Sequence, residues 1–288
     1  MRYRSIDRRR GLYSVRMMCR LLRVSRSGYY AWRTRPESER DKTDRHLTRA
    51  IQRVHADSKG TYGSPRIRAE LKSQGFNYGR HKVARLMHLA GLKGCPTRRY
   101  KVTTQSDSSH PVASNLLKQD FTAASADQRW ASDTTYISTQ QGWLYLAVVM
   151  DLYSRRIVGW SMDRWNSRRL VMDALSMALG SRDPQSNLIH HSDRGAQYTS
   201  DDFRKELKRN GIQCSMSARA NCYDNAVVES FFGLMKRECV NRIRFRTRDE
   251  AQAVVFEYIE VFYNRKRRHG YLGHVSPEEF ENRTVKLN

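Results

Sequence analysis

The run GWLYLAVVM at residues 142–150 constrains the fold more than any other stretch of this chain. Almost every residue in it is apolar, whereas a strand with one solvated face would alternate between polar and apolar residues. The run is far shorter than the roughly 20 apolar residues that a membrane helix needs. It therefore predicts a strand covered on both faces, as found in the sheet of an α/β protein.

The segments around this run predict more strands and helices. Apolar alternation indicates strands and 3.6-residue spacing indicates helices. On that basis the order along the chain is β-β-β-α-β-α-β-α. The strands fall at residues 130–138, 142–150, 156–162, 188–189 and 212–216, and the helices at 170–179, at 203–209 and from Asp224 onward.

Three carboxylates stand on separate elements of this pattern. Asp133 lies in the first strand, Asp193 follows the fourth strand within HSDRG, and Glu229 lies inside the last helix, with 35 residues between the latter two. Converging carboxylates can hold two divalent cations, because Mg²⁺ prefers carboxylate and phosphate oxygens. Such a pair of ions supports in-line phosphoryl displacement. Three carboxylates alone are a weak signal, since most Asp and Glu side chains are simply solvated.

The surroundings of these carboxylates strengthen the interpretation. A tryptophan three residues before Asp133, the motif HSDRGAQY around Asp193 and the motif YDNAVVESFF leading to Glu229 resemble the catalytic segments of the DDE transposase and retroviral integrase superfamily. The chain is most similar to the OrfB transposases of the insertion-sequence-three family, whose Asp–Glu spacing is also 35. The resemblance extends from about Val15 to Phe280.

This resemblance implies a fold and a set of catalytic residues. The expected core is α/β and ribonuclease H-like, with a mixed five-stranded sheet flanked by helices and preceded by all-α helix-turn-helix modules. Asp133, Asp193 and Glu229 are expected to be catalytic and to bind Mg²⁺ or Mn²⁺ as two ions. Lys236 lies two helical turns after Glu229 on the same face, where the family has a basic residue that contacts the transposon end.

Two other aspartates are interpreted as structural. Asp151 also follows a strand, but its position does not match the triad of the family. Asp224 precedes the apolar run of the last helix directly, which is typical of a helix N-cap.

The net charge of +24 is concentrated at the front of the chain. Residues 1–100 hold 26 Lys and Arg against 7 Asp and Glu, residues 101–240 hold 17 against 15, and residues 241–288 hold 10 against 7. Neutralisation of phosphates by Lys and Arg dominates sequence-independent DNA affinity. We therefore expect DNA-binding modules attached to a nearly neutral metal-binding core. RNA binding, or charge that only keeps the protein soluble, are the alternatives.

The first 35 residues predict two helices. Met17, Met18, Leu21 and Leu22 recur at helical spacing, and Ser25 or Ser27 can cap a second, aromatic helix. This arrangement is compatible with a helix-turn-helix, and equally with a plain helical hairpin. The polar stretch TRPESERDKT at residues 34–43 is interpreted as a linker.

Residues 41–95 predict a second helical unit. Its first helix is marked by Leu47, Ile51 and Val54, its second by Ser64 as N-cap, and its third runs over residues 80–90 with Val83, Leu86, Met87 and Ala90 facing inward. The third helix of a helix-turn-helix reads the major groove, and this segment resembles the helix-turn-helix of the same transposase family. The outward residues Arg80, Lys82 and Arg85 are therefore the predicted DNA contacts.

The end of the chain predicts an amphipathic helix through Phe256, Ile259 and Phe262. The segment after it resembles the tail of these transposases through Tyr263, Asn264, Arg267, His269, Leu272, Gly273 and Pro277. We interpret the cluster RKRRH, with Arg267 and His269, as a phosphate grip or else as a basic helix end.

The predicted organisation is therefore a series of five regions. They are a helix-turn-helix-like region (1–35), a second helix-turn-helix domain (41–95), a linker (96–126), the catalytic core (127–240) and a basic helical tail (241–288). The five scattered cysteines include no C-x-x-C pair, so neither a disulfide framework nor a zinc finger is indicated. No secretory signal or membrane run is evident, which favours a cytoplasmic protein, bacterial and nucleoid-associated if the resemblance holds.

The resulting functional hypothesis is a transposase that binds the ends of an insertion sequence and performs metal-dependent DNA cleavage and strand transfer. The resemblance implies double-stranded terminal repeats and target DNA as partners, an OrfA partner or an OrfA–OrfB fusion, and a homo-oligomer on DNA. The alternatives are a ribonuclease H-like nuclease without strand transfer, and a catalytically silent sequence-specific regulator.

Overall fold

The computed structural model describes residues 1–96, 113–182, 184, 187–217 and 225–285. The predicted cap Asp224 and most of the predicted linker lie outside these residues. The helices before the sheet are α1 (Arg2–Arg9), α2 (Val15–Leu21), α3 (Arg26–Thr34), α4 (Glu39–Asp57), α5 (Ser64–Ser73) and α6 (Arg80–Leu89). The later helices are α7 (Arg168–Ser181), α8 (Ala196–Thr199), α9 (Asp201–Arg209), α10 (Ala226–Glu238), α11 (Arg248–Phe256) and α12 (Pro277–Val285).

The core contains one mixed five-stranded sheet. Its strands are β1 (Arg129–Thr139), β2 (Gly142–Asp151), β3 (Ile157–Asp163), β4 (Ile189–Ser192) and β5 (Gln213–Met216), in the spatial order β3-β2-β1-β4-β5. The pairs β1–β2 and β2–β3 are antiparallel, and the pairs β1–β4 and β4–β5 are parallel. The prediction of a ribonuclease H-like sheet flanked by helices is confirmed.

Helices cover both faces of the sheet, as the apolar run predicted. Residues 146–151 of β2 are all buried, whereas Trp143 at the start of β2 is 49% exposed. One face packs against α7 and α9, and the other packs against α10 and α11. Helix α7 lies so close to β3 that a Cβ on Gly159 would be 2.2 Å from the carbonyl oxygen of Ala174.

The second helical unit shares its hydrophobic core with the catalytic core. The predicted inward residues of α4 and α6 are buried, with the exception of half-buried Ala90. They belong to one continuous cluster that also contains Phe231 of α10 and Tyr258. Tyr258 lies on the π-helical segment Glu257–Tyr263, which continues α11. The predicted helix-turn-helix domain (41–95) and the predicted core (127–240) therefore share one hydrophobic cluster.

The N-terminal helices form a separate small core of Ile6, Met18, Cys19 and Tyr29. Helix α1 was not predicted. The predicted buried face of α2 is partly wrong, because Met17 and Leu21 are 54% and 79% exposed. The cap on α3 is Ser25, whose Oγ accepts a hydrogen bond from the backbone N–H of Gly28 at 2.9 Å.

The polar stretch at residues 34–43 is only partly a linker. Helix α4 begins at Glu39, because the Ser38 hydroxyl accepts a hydrogen bond from the backbone N–H of Asp41 and caps it. The described part of the second predicted linker, residues 113–126, has no helix or strand, yet Leu117 within it is buried.

No helix in the described part of the chain is long and apolar enough to cross a lipid bilayer.

Candidate active site

The parallel pairing of β1 and β4 brings Asp133 and Asp193 together. The register of these strands joins Ser132 to Ser192, and the pairing ends there. The next residue along β1 is Asp133, and the first residue after β4 is Asp193. The two aspartates therefore lie at the same level of the sheet, directly after the last paired residues of β1 and β4.

Helix α10 brings Glu229 to the same place. Val228, Phe231 and Met235 are buried against the sheet and anchor the helix. The side-chain amide of Asn225, at the start of α10, donates a hydrogen bond to the carbonyl oxygen of Ser132 at 3.1 Å. Glu229 lies in the first turn of α10, and its side chain is half-buried beside the two aspartates.

The three carboxylates act on one another electrostatically. Burial and the nearby charge of Asp193 raise the pKa of Asp133 well above its ordinary value, although the N–H of Thr134 opposes that rise. Burial also raises the pKa of Asp193, against the N–H donated by Gly195 at 2.9 Å. Burial and the charge of Asp193 raise the pKa of Glu229. Burial and neighbouring negative charge thus disfavour the ionised form of these carboxyl groups. A bound cation would favour the ionised form and lower their pKa values again.

The donor set fits a hard divalent cation, because it consists of carboxylate oxygens from three elements. One oxygen of Asp133 accepts from the backbone N–H of Thr134, and one oxygen of Asp193 accepts from that of Gly195. The second oxygen of each remains available as a ligand. Across residues 1–96, 113–182, 184, 187–217 and 225–285, no three His, Cys, Asp or Glu side chains already lie close enough together to hold an ion.

Lys236 is a basic residue of α10 whose charge acts on Asp133. Its positive charge lowers the pKa of Asp133, and burial lowers the pKa of its own ammonium group. The ammonium nitrogen lies 4.9 Å from the centroid of the Tyr136 ring. Lys236 therefore contacts an aromatic side chain of β1 and acts electrostatically on Asp133 of the same strand.

A buried polar network holds the strands beneath the carboxylates. The Ser132 hydroxyl lies 2.7 Å from Nε2 of His190, and Nδ1 of His191 lies 2.8 Å from the Ser215 hydroxyl. Burial lowers the pKa of His190 to about 3, so its ring is neutral near pH 7. This network was not predicted, and its signal in the sequence was the run of polar residues His190, His191 and Ser192 after Leu188 and Ile189.

Tyr198 is a buried residue near the aspartates that was not predicted as part of the site. Its ring is buried and packs edge-on against Phe203 at 5.4 Å. Burial, followed by the charges of Asp133 and Asp193, raises its pKa. Its hydroxyl has no hydrogen-bond partner within the portion of the chain that the structure covers. The sequence does point to Tyr198, because it is the last residue of the motif HSDRGAQY that contains Asp193.

Asp151 is structural, as expected. It is fully buried, and its carboxylate accepts hydrogen bonds from the backbone N–H groups of Asp127, Tyr153 and Ser154 at 2.6, 2.8 and 3.0 Å. Burial raises its pKa to about 6. Its carboxylate closes the turn after β2 and has no part in the site.

Two of the three predicted DNA-reading residues of α6 share an acidic partner. Arg80 is exposed, whereas the ammonium of Lys82 lies 3.0 Å from one oxygen of Asp44 and Arg85 pairs with the other. The hydrogen bonds from Arg85 and Lys82 lower the pKa of Asp44. The side chains of Lys82 and Arg85 remain 30% and 44% exposed. Asp44 therefore restrains two of the three predicted contacts.

The expectation that Arg267 and His269 grip phosphate does not hold in this structure. They are 1% and 8% exposed. Arg267 donates hydrogen bonds to both oxygens of the buried Glu238, at 2.7 and 2.6 Å. Burial and the charge of Arg267 lower the pKa of His269 to about 2. The sequence pattern was basic, but it could not indicate a buried acidic partner 29 residues away.

Comparison with known families supports this description of the core. The "Integrase core domain" family matches residues 123–222, a second "Integrase core domain" family matches residues 229–285, and the "HTH-like domain" family matches residues 42–100. The simian T-cell lymphotropic virus intasome structure covers 80% of this chain and 74% of its own, with a TM-score of 0.47 and 14% identity. The magnesium complex of the HTLV-2 integrase catalytic core covers 55% and 98%, with a TM-score of 0.43 and 15% identity.

Curated relatives match the whole chain. The transposase InsF for insertion sequence IS3A of Escherichia coli (strain K12) is 44% identical over 288 residues, which cover 99% of this chain and 100% of the relative. The insertion element IS600 uncharacterized 31 kDa protein of Shigella sonnei is 45% identical over 263 residues, 91% and 97% of the two chains.

The mixed sheet, the integrase-core matches and the full-length similarity to a transposase define a DNA transposase of the DDE class, which is a polynucleotidyl transferase with an HTH-like DNA-binding domain. Within that class, the chain belongs to the transposases of the insertion-sequence-three family.

Proposed function

We propose that Asp133, Asp193 and Glu229 are the catalytic triad with which this transposase cuts and joins DNA at the ends of an insertion sequence. The observation that carries the proposal is the parallel register of β1 and β4, which brings the two aspartates to one level of the sheet. The raised pKa of each carboxylate also supports it, because the charge of Asp193 contributes to the rise at Asp133 and at Glu229. Perturbed carboxylates that share one site favour a functional role.

The three carboxylates would hold Mg²⁺ or Mn²⁺, as two ions. Cations bound there supply the charge that activates the attacking oxygen and stabilises the leaving oxygen of an in-line displacement. Water first attacks a phosphodiester at the element's end and leaves a 3′-hydroxyl. That hydroxyl then attacks a second phosphodiester and releases another strand end. Neither step requires a covalent bond to the protein, so the phosphorus stereochemistry inverts in each.

The basic front end would position the DNA. Arg80, Lys82 and Arg85 are proposed to contact terminal repeats, and Lys236 is proposed to contact the transposon end beside Asp133. Phosphate contacts position a protein on the duplex, whereas base contacts specify the sequence. We further propose an oligomer on double-stranded terminal and target DNA, an OrfA partner or fusion, and action at the bacterial chromosome in the cytoplasm.

A nuclease that only hydrolyses DNA is the alternative, since it needs the same carboxylates. The shared hydrophobic cluster of α4–α6 and the catalytic core favours a transposase, because it ties the basic helical unit to the site that would act on the bound end. The formation of joined strands separates the two activities.

The deciding experiment is a strand-transfer assay on the element's own terminal DNA, with Mg²⁺ or Mn²⁺ and with or without OrfA. Asp133→Asn, Asp193→Asn and Glu229→Gln should each lower joining by at least roughly 10³-fold, because groups that act as a unit fail together. Asp173→Asn is the matched control, since Asp173 is an exposed aspartate on α7. Substantial joining by any of the three variants would remove that residue from the triad.

A further inference from the structure

An exposed aromatic pair lies beside the proposed triad. Tyr136 on β1 and Trp143 on β2 are 54% and 49% exposed, and their rings meet edge-on with centroids 4.9 Å apart. Large aromatic side chains usually bury most of their surface. Tyr136 lies three residues after Asp133 on β1, so the two side chains leave the strand on opposite faces. Lys236 links them, because its ammonium lies 4.9 Å from the centroid of the Tyr136 ring and its charge also acts on Asp133. The aromatic pair therefore lies within reach of the helix that carries Glu229.

Positive charge surrounds this pair. The Lys236 ammonium lies over the Tyr136 ring. The guanidinium of Arg248 donates a hydrogen bond to the carbonyl oxygen of Trp143 at 2.9 Å. Arg244 and Arg246 are exposed on either side of Phe245, whose carbonyl oxygen accepts from the N–H of Gln140 in the same hairpin.

These arginines are free to meet a polyanion. Across the described ranges, no carboxylate forms an ion pair with Arg244, Arg246 or Arg248. Aromatic rings with uncompensated cations around them are the chemistry that binds single-stranded nucleic acid.

We infer that Tyr136 and Trp143 form a stacking site for an unpaired nucleobase of the DNA end that the proposed triad processes. An intact duplex offers no free base face along its length, because its bases are already paired and stacked. An aromatic side chain therefore gains a base only from a frayed or single-stranded end. The surrounding cations would hold the phosphates of the same strand. This inference rests on the proposed function for the location of the end, but not for the binding itself.

Binding can be measured without any chemistry. The full chain would be titrated in EDTA with a terminal-repeat duplex that carries a two-nucleotide unpaired overhang, and with the same duplex made blunt. 2-Aminopurine in the overhang reports stacking through its fluorescence. Tyr136→Leu and Trp143→Leu should each weaken overhang binding by about five- to 150-fold, which corresponds to about 1–3 kcal/mol per stacked base. Blunt-duplex binding should change little.

Matched variants separate stacking from hairpin stability. Trp143→Phe keeps an aromatic face and should retain the preference for overhangs. Tyr271→Leu removes another exposed tyrosine with a cation over its ring, Arg155 at 4.5 Å, in the segment that follows Arg267. It should leave the preference unchanged. An equal loss of blunt and overhang binding in the two leucine variants, or no loss in either, would overturn the inference.

A second measurement uses the unaltered chain, so it does not depend on the folding of variants. Photo-crosslinking with 5-iodouracil in the overhang should attach DNA to the peptides that contain Tyr136 or Trp143. Crosslinks confined to other peptides would contradict the inference. If Asp133→Asn keeps joining activity, the proposed triad is wrong. The stacking site is tested separately, by the binding and crosslinking results alone.

Discussion

Glu238 and Arg267 form a buried ion pair at the junction of three parts of the chain. Glu238 ends α10, the helix that carries Glu229, and both its oxygens accept hydrogen bonds from Arg267. The hydroxyl of Tyr258 donates to the same carboxylate at 3.0 Å, and Arg66 of α5 lies 3.6 Å from it. Helix α10, the tail and the HTH-like unit therefore meet at one carboxylate.

The first prediction concerns this pair. Arg267→Met should lower the free energy of unfolding by about 3–5 kcal/mol, because it leaves Glu238 as a buried charge without its main partner. Urea unfolding followed by circular dichroism measures the change. Arg265→Met is the matched control, since Arg265 is 61% exposed and lies 3.9 Å from Glu278. It should cost no more than about 1 kcal/mol. Similar losses in both variants would contradict the special role of Arg267.

The second prediction concerns the contact between β3 and α7. Gly159→Ala should destabilise the protein by about 1–3 kcal/mol, because the new methyl group would overlap the Ala174 carbonyl and the Ala178 side chain. Gly180→Ala is the control, since nothing lies within 4 Å of a Cβ there. Gly180 is within helix α7, so alanine should be neutral or stabilising by up to about 1 kcal/mol. Thermal unfolding in parallel should rank the parent between the two variants.

The third prediction concerns pH. The pKa of His269 in the folded protein is about 2, below its ordinary value of 6.5, because burial and nearby arginines oppose its protonation. The folded state therefore binds fewer protons than the unfolded state. The stability from His269 is complete above pH 6.5 and is lost as the pH falls below that value. At pH 5 the loss amounts to about 2 kcal/mol.

Urea unfolding at pH 7.5 and pH 5 isolates this contribution. His269→Gln should reduce the loss of stability between the two pH values by about 2 kcal/mol relative to the parent chain. His81→Gln, at an exposed position of α6, should leave the loss unchanged. If the parent and His269→Gln lose equal stability on acidification, His269 is not held neutral in the folded state.

The fourth prediction concerns Tyr198. A buried hydroxyl without a partner costs free energy, so Tyr198→Phe should keep or raise stability, by up to about 1 kcal/mol. The same hydroxyl faces the charges of Asp133 and Asp193, so strand joining should fall although the fold is intact. Unfolding and joining measured on the same preparation test both halves. A destabilised variant with normal joining would refute the prediction.

The fifth prediction concerns Asp44. Asp44→Asn releases Lys82 and Arg85, and should steepen the dependence of log K on log salt by about 0.9 for each additional phosphate contact. DNA titrations at several salt concentrations provide the slope. Asp57→Asn removes one negative charge from an exposed position of the same helix, α4, and serves as the control. Equal slopes in both variants would place Lys82 and Arg85 away from the DNA.

The sequence predicted the core well because its signals were local. The apolar run of β2 and the alternation of β1 depend only on which residues each strand buries, and both strands are present. The positions of Asp133 and Asp193 then follow from parallel pairing. Glu229 required the family resemblance, because helical periodicity alone does not determine where a helix lies on a sheet.

The misses involve partners that are far away in sequence. The basic neighbours of Arg267 predict a surface position, whereas in the structure it is buried and pairs with Glu238, which also accepts a hydrogen bond from the Tyr258 hydroxyl. Asp44 restrains Arg85 across 41 residues. The exposure of Met17 on α2 depends on how three short helices pack, which the spacing of one helix does not reveal.

The meeting of Arg66, Glu238 and Arg267 affects how such transposases can diversify. A reader domain tethered by a linker can be exchanged between elements without changes elsewhere. Here the unit that contains α5 contributes Arg66 to the same buried charge cluster as α10, so its exchange for a unit without a basic residue at that position would leave Glu238 with Arg267 as its only arginine partner among the described residues. Exchanged units should therefore be tolerated best when they carry arginine at the position of Arg66. New end specificities would then arise through substitutions on α6 more readily than through exchange of the whole unit.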